Sequence, residues 1–246
     1  MKLNFNNRHI IVDGAGRGIG REIAIQLHHL GAKVTLIDIN QADLESVQKE
    51  LHEEGSLVIN CDLGQSNQIE PMVKNIVSLN GPIDGFVHCV GMRCRRPINI
   101  LNYEILQQVM NINFVSFMEL TRCITKKGNY NKGLSIVAIS SISARTGGIA
   151  VSGYAASKAA IEGAIRCLAH ELAQKGIRLN SVQPGQTHTP AYDEYIGNSY
   201  DPVLERQYLG LAEPADVANS VLFLLSDCSR MISGSSLPVD CGFYTS

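Results

Sequence analysis

The sequence predicts an α/β fold with one doubly wound, parallel β-sheet of about seven strands and with helices on both faces. Two observations lead to this prediction. Short β-branched runs alternate regularly with longer segments of helical period, and no internal repeat or linker divides the 246 residues. We therefore expect a single domain over residues 1–246.

The elements follow in a regular order. The first strand is predicted at 9–12, and a glycine cluster and an apolar-periodic helix from Ile19 to Leu30 come next. Further strands are predicted at 33–37, 56–60, 84–88, 134–139, 178–183 and 236–239. The other predicted helices are 41–54, 67–78, 103–126, 153–174 and 214–225.

Residues 190–212 interrupt this regularity. The helical period is lost between Pro190 and Leu211, and a turn signal stands at 198–202. The segment leaves the carboxyl end of the sixth strand, the edge at which doubly wound sheets bind ligands. We predict that it is a substrate lid; the alternative is an ordinary surface loop.

Composition excludes several classes of protein. There are 21 Lys and Arg against 23 Asp and Glu, which does not favour a nucleic-acid partner. Seven cysteines at irregular spacings predict reduced thiols and no metal site. The first residues lack the pattern of a signal peptide, and no apolar run reaches the ~18 residues of a membrane span. We expect a cytoplasmic protein without a membrane partner.

A glycine-rich turn follows the first strand. Gly14, Gly18 and Gly20 have the spacing G-x-x-x-G-x-G. Glycines permit a tight turn and let the backbone approach a pyrophosphate, which then faces the free N–H groups of the next helix. The turn therefore predicts a dinucleotide site, to which Arg17 and Ile19 also belong.

Two aspartates follow the second and third strands. Asp38 is placed to accept hydrogen bonds from ribose hydroxyls and to repel a 2′-phosphate. Arg17 acts in the opposite direction, because it could pair with that phosphate. Repulsion at a partly dry site costs on the order of several kcal/mol, whereas Arg17 can turn to solvent, so we predict NAD rather than NADP. Asp62 is placed to accept from the adenine amino group, or else simply forms a turn.

Three side chains near the fifth strand suggest the chemistry. Ser141 follows that strand, and Tyr154 and Lys158 share one face of the next helix at positions i and i+4. A phenol ionises near pH ~10, so its use as a base at neutral pH requires a nearby cation. An ammonium about 4 Å away, at an effective dielectric constant of about 20, supplies about 4 kcal/mol. The alternative for an isolated Tyr-x-x-x-Lys pair is a solvated helix face.

Taken together, these motifs resemble the short-chain dehydrogenase/reductase family over essentially the whole chain. The resemblance implies a Rossmann-type fold, exchange of hydride between NAD(P)(H) and a secondary alcohol or ketone, and a homotetramer or homodimer. The matching residues, in the family's order, are Gly14, Gly18, Gly20, Asp62, Asn113, Ser141, Tyr154, Lys158, Asn180, Pro184, Gly185 and Thr189.

The resemblance also implies roles for single residues. Tyr154 would be the general acid/base, Ser141 would orient the substrate oxygen, and Lys158 would support Tyr154 and hold the nicotinamide ribose. Asn113 would hold a water in the proton relay; Asn111 is the alternative alignment. Further implied cofactor contacts are Leu63, Gly91, Pro184, Gly185, Thr187 and Thr189.

The chain departs from the family at two places beside the cofactor. Asp13 stands where the family usually has Thr, and His88-Cys89-Val90-Gly91 stands where it usually has Asn-Asn-Ala-Gly. In the family these positions brace the sheet edge against the glycine turn. We expect a contact between Asp13 and His88 to replace that bracing.

The substrate is less defined than the cofactor. Arg93, Arg95 and Arg96 follow the fourth strand and suggest an anionic substrate group, with a solvated loop as the alternative. His188 is a candidate substrate contact or a structural histidine. Candidate substrates are a 3-oxoacyl group on acyl carrier protein, reduced with NADPH, a sugar or polyol, and a steroid-like alcohol. A non-catalytic dinucleotide sensor is the alternative from another class.

Overall fold

A computed structural model describes residues 3–51, 56–197 and 201–245 of the chain. Within these ranges, seven parallel strands form one sheet in the order β3-β2-β1-β4-β5-β6-β7. The strands are β1 (His9–Asp13), β2 (Lys33–Asp38), β3 (Ser56–Asn60), β4 (Ile83–His88), β5 (Tyr130–Ile139), β6 (Arg178–Pro184) and β7 (Ser236–Val239).

Helices connect the strands on both sides of the sheet. In the described ranges, no helix is both long and apolar enough to cross a membrane. The helices are α1 (Gly18–His29), α2 (Gln41–Glu50), α3 (Ser66–Asn80), α4 (Tyr103–Met110), α5 (Ser116–Ile124), α6 (Ser152–Leu172), α7 (Pro190–Ile196) and α8 (Pro214–Leu225).

Alternation along the strands divides the hydrophobic core into two layers. Ile10 and Val12 of β1 face one layer, whereas Ile11 between them faces the other. Side chains of α1, α2 and α8 fill the first layer. Those of α3, α5 and α6 fill the second. The five inner strands, β1, β2, β4, β5 and β6, are therefore covered on both faces, which explains their largely apolar composition.

The strand order fixes the position of the ligand crevice. β1 pairs with β2 on one side and with β4 on the other, so the chain order reverses at β1. Ligands of doubly wound sheets bind at such a reversal, outside the carboxyl ends of the strands. The register also places Asp13 directly beside His88 at the ends of β1 and β4.

The predicted α/β architecture and its seven strands are confirmed, but the helix predicted at 103–126 is not continuous. A π-helical turn, Asn111–Val115, separates α4 from α5. The prediction was wrong here because one extra residue in a turn hardly alters the apolar period; such turns are frequent at functional sites. The helix predicted at 41–54 ends at Glu50 in the described residues, and residues 52–55 lie outside them.

The segment predicted as an irregular lid contains a short helix. Thr189 caps α7, because its Oγ1 accepts the N–H of Tyr192 at 3.2 Å. Pro190 occupies the first turn, and Gly197 follows the helix with a φ of 52°. The loss of periodicity was misleading, since seven residues are too few to show a helical period. Of the predicted turn at 198–202, residues 198–200 lie outside the described part.

Candidate active site

One cavity of about 720 Å³ opens at the carboxyl ends of the strands. It extends from the glycine turn to the segment after β6. Every cofactor residue predicted from the sequence lines it: Gly14, Arg17, Gly18, Ile19, Gly20, Asp38, Asp62, Leu63, Gly91, Tyr154, Lys158, Pro184, Gly185, Thr187 and Thr189.

Two glycines of the turn, Gly14 and Gly20, are packed too tightly to carry a side chain. Gly14 has a φ of 61°, and a Cβ on it would lie 2.9 Å from the backbone nitrogen of Val90. A Cβ on Gly20 would overlap the carbonyl oxygen of Gly14. α1 begins at Gly18 and has no acidic residue in its first turn. Its N–H groups and positive end are therefore suited to an anion such as a pyrophosphate.

Asp38 is held against this turn by two backbone donors. Its carboxylate accepts the N–H of Gly16 and the N–H of Asn40, each at 3.0 Å. Asp43 lies close by, because a Cβ on Gly16 would be 2.8 Å from the Cβ of Asp43. Asp62 accepts the N–H of Gly64 at 2.9 Å, which makes it a turn residue as well as a cavity residue.

Arg17 contacts the helix that follows β6. Its Nη1 lies 3.3 Å from Oε1 of Glu194 on α7, and both side chains are exposed. An exposed pair of this kind contributes at most about 1 kcal/mol. Its geometric effect is to direct the guanidinium across the cavity mouth toward α7.

Lys158 is the buried cation of the site. It is 3% exposed, and its Nζ donates a hydrogen bond to the carbonyl of Ile139 at 2.8 Å. Nζ also lies 6.0 Å from the centre of the Tyr154 ring. A Cβ on Gly91 would lie 3.2 Å from Nζ, so the backbone of Gly91 bounds the ammonium on another side. An ammonium has three protons, and two remain for groups in the cavity.

Ser141 begins a 3₁₀ turn, Ile142–Ala144, directly after β5. Its Oγ accepts the N–H of Ser143 at 3.1 Å. Because this contact uses the oxygen as acceptor, the hydroxyl proton remains available to a substrate oxygen. Ser141 and Tyr154 both line the cavity, as the sequence predicted.

Asn113 lies in the π-helical turn, fully buried behind the cavity wall. Its side chain accepts the N–H of Met92 at 2.6 Å and donates to Met92 O at 3.1 Å and to Ser157 Oγ at 2.8 Å. It therefore connects the segment after β4, residues 89–92, to Ser157 on α6, which immediately precedes Lys158. This position supports Asn113 over Asn111 as the residue that matches the family's asparagine.

The expected contact between Asp13 and His88 is present and fully buried. Oδ2 of Asp13 lies 2.6 Å from Nδ1 of His88. Oδ1 accepts the N–H groups of Cys89 at 2.6 Å and Val90 at 2.8 Å. Burial, together with the charge of Asp13, raises the pKa of the Cys89 thiol well above its usual value. The thiol is therefore neutral and forms part of the wall.

The predicted substrate residues divide into two groups. Arg93 and Arg95 line the cavity, and Nη2 of Arg93 donates to Gln186 Oε1 at 3.1 Å. His188 does not line the cavity, and its contact with substrate stays a prediction. Its ring lies 3.7 Å from Asp193 and 3.4 Å from Glu213, and about half of the side chain is exposed.

Sequence reasoning missed a buried carboxylate behind the site. Glu162 accepts hydrogen bonds from Ser140 Oγ at 2.8 Å and from the amide of Gln183, and it pairs with Arg145 at 3.6 Å. Its spacing of four residues from Lys158 was the available signal. The cavity is also lined by Asp201, Arg206 and Phe243, which no local sequence motif predicts.

The comparisons with known proteins agree with this geometry. A family model described as enoyl-(acyl carrier protein) reductase matches residues 14–244. A solved short-chain dehydrogenase/reductase from Brucella melitensis superposes with a TM-score of 0.94, covers 100% of both chains and is 28% identical. The chain belongs to the short-chain dehydrogenase/reductase family.

Two further members of the short-chain dehydrogenase/reductase family are similar over nearly the whole length. The (2S)-[(R)-hydroxy(phenyl)methyl]succinyl-CoA dehydrogenase subunit BbsD of Thauera aromatica is 32% identical and covers 98% of this chain and 97% of its own. A solved 7α-hydroxysteroid dehydrogenase, complexed with NADH and 7-oxo glycochenodeoxycholic acid, has a TM-score of 0.91 and 29% identity. It covers 98% of this chain and 96% of its own.

The close approach of Gly91 to Lys158 gives a testable prediction. In Gly91→Ala the new methyl group would force the ammonium to move by a few tenths of an ångström, and we expect this misplacement to lower turnover by about tenfold or more. Steady-state kinetics measure the effect. Gly163→Ala on α6 is the matched control, because its nearest neighbour is a flexible Arg166 side chain 4.0 Å away. Equal turnover in the two variants would contradict the tight fit at Gly91.

Proposed function

We propose that the chain is an NAD(H)-dependent oxidoreductase that interconverts a secondary alcohol and a ketone, with Tyr154 as the general acid/base. One observation carries the proposal. Ser141, Tyr154 and Lys158 line the same cavity as the glycine turn and Asp38. A proton donor, an oxygen-orienting hydroxyl and a dinucleotide cradle are therefore parts of one site.

The residues present fit a nicotinamide dinucleotide. The cradle around Gly14 and Gly20 has no room for side chains, and the start of α1 offers unpaired N–H groups to the pyrophosphate. Asp38 would bind the adenosine ribose, and Thr187 and Thr189 would contact the carboxamide. When bound, the nicotinamide supplies or accepts the hydride.

The chain's own side chains perform the proton chemistry. In ketone reduction, the Tyr154 hydroxyl gives its proton to the substrate oxygen, and in alcohol oxidation the phenolate takes it back. The Lys158 ammonium, whose Nζ lies 6.0 Å from the centre of the Tyr154 ring, places a positive charge beside the phenol. Ser141 donates its free hydroxyl proton to the same substrate oxygen and so stabilises the charge that develops there.

The adenosine end supports NAD as the preferred cofactor. The Asp38 carboxylate, with Asp43 close to it, places negative charge where a 2′-phosphate would need a cation. Arg17, the basic residue that could offset this charge, is paired with Glu194. Both observations favour an unphosphorylated ribose.

We infer that the substrate carries an anionic group. Arg93, Arg95 and Arg206 line the cavity, and the Arg206 guanidinium lies 4.1 Å from the centre of the Phe243 ring. The relative from Thauera aromatica is named for a succinyl-CoA, and the steroid dehydrogenase holds a bile acid. Both molecules are acidic, as the arginines would require.

A 3-oxoacyl-[acyl-carrier-protein] reductase that uses NADPH is the second candidate. The matching family model is described as an enoyl-(acyl carrier protein) reductase. A substrate attached to acyl carrier protein would also bring anionic groups to the arginines that line the cavity. Asp38 argues against the NADPH that such a reductase would take.

Three wider features belong to the same proposal. The segment at 190–212 would act as the substrate lid, and Gln207 joins it to the end of β6 by accepting the N–H of Gln186 at 2.6 Å.

Tyr103 is 71% exposed, and exposed apolar surface on α4 supports a homotetramer or homodimer. Seven free cysteines support a cytoplasmic location.

The role of Tyr154 is tested by removing its hydroxyl group. Tyr154→Phe should lower turnover by at least about a hundredfold while the affinity for NADH stays unchanged, because only the proton donor is lost. Turnover is measured against a panel of 3-oxoacyl thioesters, oxo-bile acids and keto sugars. Tyr103→Phe on the exposed face of α4 is the control. Normal turnover in Tyr154→Phe would refute the assignment of Tyr154 as general acid/base. A wild-type chain that binds NADH but reduces no compound of the panel would favour a non-catalytic dinucleotide sensor.

The cofactor preference is tested at Asp38. Asp38→Asn keeps the shape and removes the charge, so the ratio of kcat/KM with NADP to that with NAD should rise by about tenfold or more. Glu194→Gln in the same background should raise it further, because Arg17 is released. Asp227→Asn, at an exposed pair with Arg8, is the control. An unchanged ratio in Asp38→Asn would show that this carboxylate does not select the cofactor.

A further inference from the structure

The segment after β4 is held at both of its ends. Asp13 accepts the N–H groups of Cys89 and Val90 at its start. Asn113 forms two hydrogen bonds with the backbone of Met92 at its end. Gly91, which bounds the Lys158 ammonium, lies between these two attachments.

The His88 ring joins the two attachments. Its Nδ1 lies 2.6 Å from the Asp13 carboxylate, and its Nε2 lies 3.2 Å from the main-chain oxygen of Asn113. The contacts therefore form a closed ring that runs from Asp13 through His88, Asn113 and Met92 back to Val90. Ring and carboxylate are both fully buried, so bulk water does not compete for these contacts.

The partners determine which ring nitrogens carry protons. Two backbone N–H groups donate to Oδ1 of Asp13, an arrangement that favours the carboxylate form, and a carboxylate Oδ2 needs a donor at Nδ1 of His88. The Asn113 carbonyl can only accept, so Nε2 must also donate. An imidazole that donates from both nitrogens is the imidazolium, and the buried pair with Asp13 is neutral overall.

We infer that His88, protonated at both nitrogens by its pairing with Asp13, is a positioning residue for the active site. It holds the Asn113 carbonyl and so fixes the π-helical turn relative to the cofactor wall. Ser116 supports the same turn, because its Oγ donates to Ile112 O at 2.6 Å. Asn113 transmits this position to Met92 and to Ser157, which precedes Lys158.

The groups that face His88 make Asp13 its counter-ion. The Cys89 thiol is neutral because burial raises its pKa. Lys158 contributes positive charge near Cys89, which would oppose a second cation without Asp13. Phe86 and Phe117 contact the ring with centroid distances of 6.2 Å and 5.4 Å and carry no charge. Without the negative charge of Asp13, no group described around His88 would stabilise a second proton on its ring.

Nitrogen NMR of ¹⁵N-histidine-labelled wild-type protein tests the protonation directly. The expected result is that both ring nitrogens of His88 have the shifts of protonated nitrogens at neutral pH, with one of them changed in Asp13→Asn. His9 is the matched control, since it is buried at the opposite end of β1 and burial lowers its pKa, so it should be neutral. A wild-type His88 in which either Nδ1 or Nε2 is unprotonated would overturn the inference.

Kinetics test the positioning role, and this half of the experiment rests on the proposed function. His88→Asn should lower kcat by about tenfold or more and change the pH profile of kcat, with the affinity for NADH nearly unchanged. Asp13→Thr combined with His88→Asn restores the pair typical of the family, so kcat should largely recover. His9→Asn should lower thermal stability without lowering kcat.

The outcomes separate the two proposals. Normal kcat and pH profile in folded His88→Asn would overturn the positioning role. If His88→Asn does not fold, Asp13→Asn and the double variant are measured in its place, with the same expectations of loss and recovery. A wild-type chain without any turnover would refute the proposed function, but the NMR result would still decide the protonation of His88.

Discussion

The site depends on keeping one ammonium group charged in a place where water hardly reaches it. Lys158 is nearly buried, and an isolated charge in such surroundings is costly. The Ile139 carbonyl at the end of β5 stabilises it directly. A glycine at position 91 leaves space for it, and in the proposed mechanism the remaining protons of the ammonium would be available to the phenol and to a bound cofactor. The strand ends, the segment after β4 and the π-helical turn all serve this arrangement.

The two departures from the family's pattern make sense only as a pair. Asp13 without a cation would be a buried carboxylate with insufficient compensation, and a buried imidazolium without Asp13 would be equally unfavourable. Together they form a short contact of 2.6 Å between neighbouring strands. The register of β1 and β4 places these residues side by side, so the exchange of both residues preserves the bracing of the sheet edge by a different chemistry.

Local sequence rules predicted most of the fold and the core of the site. Tyr154 and Lys158 are separated by one helical turn, and Asp38 ends a strand, so neighbours along the chain determine their positions. The rest depends on contacts between distant segments. The pairing of Arg17 with Glu194 joins residues 177 positions apart, and the second contact of His88 depends on a π-helical turn that periodicity does not reveal. The acidic neighbours of His188 are of the same kind, since Asp193 belongs to α7 and Glu213 immediately precedes α8.

We propose that Tyr154 and Lys158 act as one unit, and a double-mutant cycle on turnover tests this coupling most directly. The cycle compares Tyr154→Phe, Lys158→Met and the double variant with wild-type protein, at saturating cofactor. If the lysine acts through the phenol, each single variant loses most of the turnover, and the double variant is no slower than the slower single one. Losses that multiply in the double variant would show that the two side chains act independently and would contradict the account.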